Sequence, residues 1–160
     1  MSRINLSLSS DYNPQSRAWV DWFPFTGTTA IAATDLDNDG TDDLIGVWPG
    51  SGMWAYQSSI DDWQLLTTYF PEKMSTGDMT GNGQEDIIAS WSQFGAYYRD
   101  SVSGSWPQLV GLAPDTFDAG DITGDGFDQF VGSWEGYGIY SRDRNDNWVH
   151  LTTVHARFLQ

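Results

Sequence analysis

The chain contains no cysteine, which excludes a disulfide framework, a cysteine-ligated zinc site and thiol redox chemistry. Basic residues are scarce, with 7 Lys and Arg against 22 Asp and Glu and a formal net charge of −15. No basic stripe could neutralise phosphates, so nucleic-acid binding is disfavoured. Long apolar runs are missing as well. The opening Met1-Ser-Arg-Ile-Asn-Leu-Ser7 has none, so the chain as given carries no signal peptide or membrane span and predicts no membrane insertion. Nor does any segment longer than ten residues keep an apolar period of 3.6, which argues against helices.

What is present is aromatic, glycine-rich and punctuated. Nine Trp and 17 Gly stand among short β-rich runs separated by Gly, Asn, Asp and Pro, a pattern that predicts an all-β chain. At 160 residues the length suits one domain with a sizeable core.

The acids are not scattered. Eleven of the 22 lie in three loops that recur at a step of 43 residues, beginning at Asp35, Asp78 and Asp121. Loop 1 reads Asp35-Leu-Asp37-Asn-Asp39-Gly40-Thr41-Asp42-Asp43. Loop 2 reads Asp78-Met-Thr80-Gly-Asn82-Gly83-Gln84-Glu85-Asp86, and loop 3 reads Asp121-Ile-Thr123-Gly-Asp125-Gly126-Phe127-Asp128-Gln129. Outside these loops the balance is only −4, so the acidity is concentrated in candidate cation sites and is not a solubilising coat. Oxygen-bearing side chains at loop positions 1, 3, 5 and 9, with Gly at position 6, suit a hard cation held by a tight turn, which makes Ca2+ the expected cofactor. The expected ligands are Asp35, Asp37, Asp39 and Asp43 with the Thr41 carbonyl in loop 1. In loop 2 they are Asp78, Thr80, Asn82 and Asp86 with the carbonyl of Gln84; in loop 3, Asp121, Thr123, Asp125 and Gln129 with that of Phe127. Affinity rises with ligand charge, so loop 1 should bind most tightly. Loop 3, where Gln129 replaces Asp at position 9, breaks the pattern. An EF-hand reading fails because position 12 holds Gly46, Ala89 or Gly132 where an acid is required. The plain alternative is an ion-free Asp-rich turn whose side chains accept backbone N–H bonds.

Each loop leads into an apolar run ending in Trp: Leu44 to Trp48, Ile87 to Trp91 and Phe130 to Trp134. The third residue of each run is small (Gly46, Ala89, Gly132), as expected where backbones crowd together. A Gly-bounded turn then opens a second strand containing Trp54, Tyr97 or Tyr140, and a further strand begins at Trp63, Trp106 or Trp148. Residues Ala30 to Thr34, Lys73 to Gly77 and Phe117 to Gly120 supply the strand before each loop. Four short strands per 43-residue unit, joined by hairpin-length connections, predict β-propeller blades. Residues 1–160 then form one propeller domain or a propeller fragment of about 3.5–4 blades. Residues 1–29 make a partial blade, with strands at Ile4 to Leu8 and Trp19 to Trp22. Whole blades follow at 30–72, 73–115 and 116–154, with a closing strand at 155–160. The chain could close as four blades, pair with a second copy into a larger ring, or belong to a longer parent.

The units Thr76-Gly-Asp-Met-Thr-Gly-Asn-Gly-Gln-Glu-Asp-Ile-Ile and Ala119-Gly-Asp-Ile-Thr-Gly-Asp-Gly-Phe-Asp-Gln-Phe-Val-Gly resemble FG-GAP/VCBS repeats, found in integrin α-subunit propellers and bacterial surface proteins. The resemblance covers Ala30 to Leu151. It implies that each Asp loop joins the first two strands of a blade and holds one calcium ion. It also implies that a lectin function is open to the chain, with sugars bound between adjacent blades.

The repeated aromatics Trp48, Trp91 and Trp134 are read first as packing between blades. A second reading places them with Tyr98, Arg99 and Arg142 in repeated ligand pockets, because a sugar's C–H face wants an aromatic platform beside polar hydrogen-bonders. Tyr98 is a candidate for exposure, since its counterparts Ala55 and Ser141 are small. His150 and His155 lack partners for a metal motif, and no non-repeated carboxylate constellation points to an enzyme. The expected function is a calcium-stabilised binding module, carbohydrate-binding and lectin-like, with a glycan as partner. The alternative is a structural propeller that binds a protein ligand. Either would suit an extracellular or cell-surface location.

Overall fold

The computed structural model describes residues 11–13, 18–20 and 27–154. The strand expected at Ile4 to Leu8, the end of the one expected at Trp19 to Trp22, and the closing strand at 155–160 lie outside these residues.

The described residues form no helix and are organised as antiparallel sheets. A two-stranded ribbon pairs β1 (Asp11–Asn13) with β2 (Ala18–Val20). Three four-stranded meanders follow. The first contains β3 (Ala30–Thr34), β4 (Asp43–Trp48), β5 (Gly52–Gln57) and β6 (Asp62–Thr67). The second contains β7 (Lys73–Gly77), β8 (Asp86–Trp91), β9 (Gly95–Arg99) and β10 (Gln108–Val110). The third contains β11 (Thr116–Gly120), β12 (Gln129–Trp134), β13 (Gly138–Arg142) and β14 (Trp148–Thr152). In each sheet the strands neighbour one another in chain order. The first strands also touch between sheets, since β7 contacts both β3 and β11.

The sheets pack face to face through two cores. Ile45, Val47, Met53 and Ala55 of the first sheet meet Ile87 and Ala89 of the second. The opposite face of the second sheet offers Ile88, Ala96 and Leu109 to Phe130 and Trp134 of the third. Strand β8 is therefore covered on both faces, and its apolar run without alternation follows from that double burial.

The small residue in the middle of the second strand has, in the first and third sheets, a different cause from the one the sequence suggested. A Cβ on Gly46 would lie 2.1 Å from the Trp48 ring, and one on Gly132 would lie 2.4 Å from the Trp134 ring. The crowding comes from an indole two residues on, folded along the same face, and not from a neighbouring backbone. Backbone crowding instead occurs at Gly52, Gly95 and Gly138, which open β5, β9 and β13 with φ of 98°, 91° and 100°. A Cβ there would sit 2.2, 1.9 and 2.1 Å from the carbonyl oxygens of Thr67, Val110 and Thr152. A register shift follows in each outer hairpin, so these glycines both bear a left-handed φ and admit the close approach of the fourth strand.

Candidate functional site

The three Asp loops share one backbone design. Position 6 is Gly with φ of 88°, 83° and 84° at Gly40, Gly83 and Gly126, and position 4 is also left-handed at Asn38, Gly81 and Gly124. The first Asp holds the turn by accepting backbone N–H bonds. Asp35 takes those of Asp39 (3.1 Å) and Gly40 (2.8 Å). Asp78 takes those of Gly81, Asn82 and Gly83 at 2.7, 3.0 and 2.7 Å. Asp121 takes those of Gly124, Asp125 and Gly126 at 2.6, 3.1 and 2.8 Å. These bonds, that of Gly126 foremost, hold the Asp121 carboxyl below the usual carboxylate range. The fifth residue repeats the theme: Asp39, Asn82 and Asp125 accept the N–H of Thr41, Gln84 and Phe127 at 2.7, 2.7 and 3.1 Å.

Position 9 behaves differently from positions 1, 3 and 5. Asp43 and Asp86 are buried at the start of the second strand. Asp43 accepts the N–H of Leu36 at 3.1 Å with one oxygen and that of Ser58 at 2.8 Å with the other. Asp86 does the same with Thr80 (3.1 Å) and Ser101 (2.9 Å). Each carboxylate thus ties its loop to the far hairpin of its own sheet. Burial raises the Asp86 pKa, against the lowering effect of those two bonds. Gln129 keeps only the loop half of this brace. Its Oε1 accepts from Ile122 at 2.9 Å, while its Nε2 donates to the Phe127 carbonyl at 2.6 Å. The position 7 carbonyl of loop 3 is therefore already engaged.

Fitness for a cation differs among the loops. Asp35, Asp37 and Asp39 each bring one carboxylate oxygen within 4.8 Å of the others, on a largely exposed turn. Those three residues fit a hard cation by number and donor type. Among the described residues no comparable acidic trio includes loop 2 or loop 3, where position 3 is Thr80 or Thr123.

Position 7 side chains link successive loops. Gln84 Nε2 donates to the Leu36 carbonyl of loop 1. Phe127 lies against Gly81 of loop 2, with the Arg144 guanidinium 3.6 Å from its ring centroid. Asp128 accepts the Asp78 N–H at 2.9 Å, and Ser75 Oγ donates to Asp118 at 2.5 Å, both across the second seam.

The proposed ligand residues are not gathered at one place. Trp48, Trp91 and Trp134 each pack edge-on against a later Trp of their own unit: Trp63 of β6 at 5.5 Å, Trp106 just before β10 at 5.7 Å and Trp148 of β14 at 6.2 Å. The strand expected to begin at Trp106 begins instead at Gln108. Arg142 pairs with Asp146 in its own outer hairpin, and Arg99 lies beside the Gly104 turn of its hairpin. Burial lowers the pKa of both guanidinium groups. Tyr98 is half-buried against the second core, so the exposure suggested by its small counterparts does not occur. Of the six residues, Trp134, Tyr98 and Arg142 share the seam between the second and third sheets. The Arg142 charge acts on Tyr98 there, but burial dominates and raises the phenol pKa.

That seam contains an open recess of about 280 Å³, lined by Val110, Leu112, Trp134, Tyr137, Tyr140 and Trp148. Tyr137 is 65% exposed and Trp148 42% exposed. A second cleft of about 240 Å³ adjoins it across Leu112, with Glu72, Lys73, Ser92 and Asp115 on its walls. At the first seam Tyr69 stands at the place of Leu112, and its ring meets Phe94, the counterpart of Tyr137, edge-on at 6.0 Å. Sequence reasoning missed Leu112 and Tyr137. The available signal was the aromatic in the turn of Gly136-Tyr137-Gly138, repeated as Phe94 but replaced by Ser51 in the first unit.

Compared with family models, with curated proteins and with solved structures, the chain finds no match. The resemblance to FG-GAP/VCBS repeats therefore rests on the residues quoted for it.

Proposed function

We propose that the three sheets are consecutive blades of a calcium-braced β-propeller of FG-GAP/VCBS type, and that the module binds carbohydrate at a seam between blades. The blade reading is supported by three meanders at one 43-residue step whose first strands lie side by side. The ring would close within one chain through the N-terminal ribbon, with a second copy, or with further blades of a longer parent, and the mass in solution distinguishes the first two. Asp35, Asp37 and Asp39 would hold the calcium ion, whose contribution is to tighten the loop. An extracellular or surface location belongs to the same proposal, because calcium there reaches the levels that fill modest sites.

The observation that carries the carbohydrate reading is the second-seam recess. Four aromatic side chains line it, of which Tyr137 and Trp148 are exposed enough to offer apolar surface to a sugar's C–H groups, and the adjoining cleft carries carboxylate, ammonium and hydroxyl groups. A glycan array probed with calcium-loaded protein at high density tests it. Retained glycans should be released by Trp148→Ala, with a loss of ~1–2 kcal/mol, roughly five- to thirtyfold in affinity. They should also be released by Leu112→Tyr, which fills the recess as Tyr69 fills its counterpart. No retention on the array, or retention indifferent to both substitutions, overturns the reading. A protein-binding propeller is the second reading, favoured by the exposed Val149, Leu151 and Val154 on and beyond β14.

A further inference from the structure

We propose that Asn82–Gly83 is a latent self-modification site, and that the Asp78 carboxylate keeps it latent. The pair is the one Asn-Gly dipeptide in the chain, and it stands exposed at positions 5 and 6 of loop 2. In the reaction the Gly83 nitrogen attacks Asn82 Cγ. A C–N bond forms, the bond from Cγ to the side-chain nitrogen breaks, and the Gly83 proton leaves with that nitrogen as ammonia. Solvent water then opens the cyclic imide at one or the other carbonyl, leaving Asp or iso-aspartate at position 82.

Three features of the loop favour this chemistry. Gly83 has no side chain, and even an added Cβ would meet nothing within 4 Å, so the approach is unobstructed. The Asn82 side-chain carbonyl accepts the Gln84 N–H at 2.7 Å, which bends the side chain back over the intervening Gly83 peptide. The same bond polarises the carbonyl toward attack, as a donor placed on a developing oxyanion does.

The brake acts on the nucleophile. The Gly83 N–H donates to Asp78 Oδ2 at 2.7 Å, and the Asn82 N–H donates to Asp78 Oδ1 at 3.0 Å. To reach Cγ the Gly83 nitrogen must turn its peptide plane, which swings the N–H away from the carboxylate and breaks a charge-assisted bond. The outcome matters for the repeat. Conversion of Asn82 to Asp gives loop 2 the fifth-position acid that loops 1 and 3 carry as Asp39 and Asp125. The inference is independent of the carbohydrate reading.

The test follows the mass gain of amide-to-acid conversion in the tryptic peptide 74–99 and assigns it to position 82 by fragmentation, because Asn82 is the only Asn there in the parent but Asp78→Asn adds a second. The full chain is aged at neutral pH in chelator, below its melting temperature. Asp78→Asn should convert on the order of 10- to 100-fold faster than the parent, the factor for losing one charge-assisted hydrogen bond from the ground state. Val47→Ala, which weakens the first core at the opposite end of β4 from the loops, should convert at the parent rate although it melts earlier. An Asp78→Asn rate equal to or below the parent's, or an equal acceleration by Val47→Ala, overturns the proposal.

Discussion

Replacing Asp86 by Ala separates two roles that position 9 of the Asp loop could have. In the structure Asp86 is 0% exposed, with one oxygen on the Thr80 N–H at 3.1 Å and the other on the Ser101 N–H at 2.9 Å. Truncation to Ala leaves both donors without their acceptor. Each unsatisfied donor costs about 1–3 kcal/mol, offset in part because the carboxylate no longer has to be desolvated. A net loss of about 2–4 kcal/mol is expected, or roughly 5–15 °C in Tm for a domain of this size. Asp86→Asn, which keeps one acceptor oxygen, should lose about half as much. The assay is thermal unfolding by circular dichroism, in excess chelator and again in excess calcium. Because the brace is made of protein groups alone, the loss should appear in full in chelator. If parent and Asp86→Ala melt together in chelator and separate only with calcium, the carboxylate acts through the ion and the brace argument is wrong.

Calcium should raise the parent's Tm, since a ligand bound only to the native state must stabilise it. Asp39→Ala should shrink that rise more than Asp125→Ala does, as isothermal titration can check. Gly95→Ala should cost about 2 kcal/mol or more, because it forces a side chain into φ 91° and against the Val110 carbonyl. Urea titration checks this against Gln93→Ala, on the exposed turn just before Gly95, which should be near neutral. The pH dependence has a definite sign. Asp100 has a lowered pKa, chiefly through its bond from the Ser103 hydroxyl, so its contribution is complete above the unfolded value near 4 and disappears as pH falls through the folded value. Asp100→Asn should therefore flatten the fall in Tm below about pH 4, and an unchanged acid limb would refute that assignment.

The strand pattern was legible because each unit repeats its own punctuation. Asp loop, apolar run ending in Trp and Gly turn stand at the same offsets three times, and the three meanders follow them, although Trp148 arrives one residue early and β10 starts only after Trp106. The first and fifth positions of the loops were also legible as oxygen-bearing turn residues. That such side chains accept backbone N–H bonds was already one of the two readings of the sequence; which N–H groups each takes required coordinates, as did the left-handed residues at Asn38, Gly81 and Gly124. The small residues at Gly46 and Gly132 were visible in the sequence. Their cause was not, because alternation along a strand does not say how far an indole folds back over its own face.

The sequence by itself determined the all-β class, the unit length and the concentration of acid in three turns, since these follow from local periodicity and residue chemistry. Tertiary structure decided what those residues face. Asp43 and Asp86 read as loop ligands in one dimension, and in three dimensions each also accepts an N–H bond from a hairpin 15 residues away. Leu112 and Tyr69 are equivalent by register, but the larger ring meets Phe94 at one seam and the smaller chain leaves a recess at the other. Such differences depend on volumes that meet across sheets, and a repeat read along the chain does not contain them.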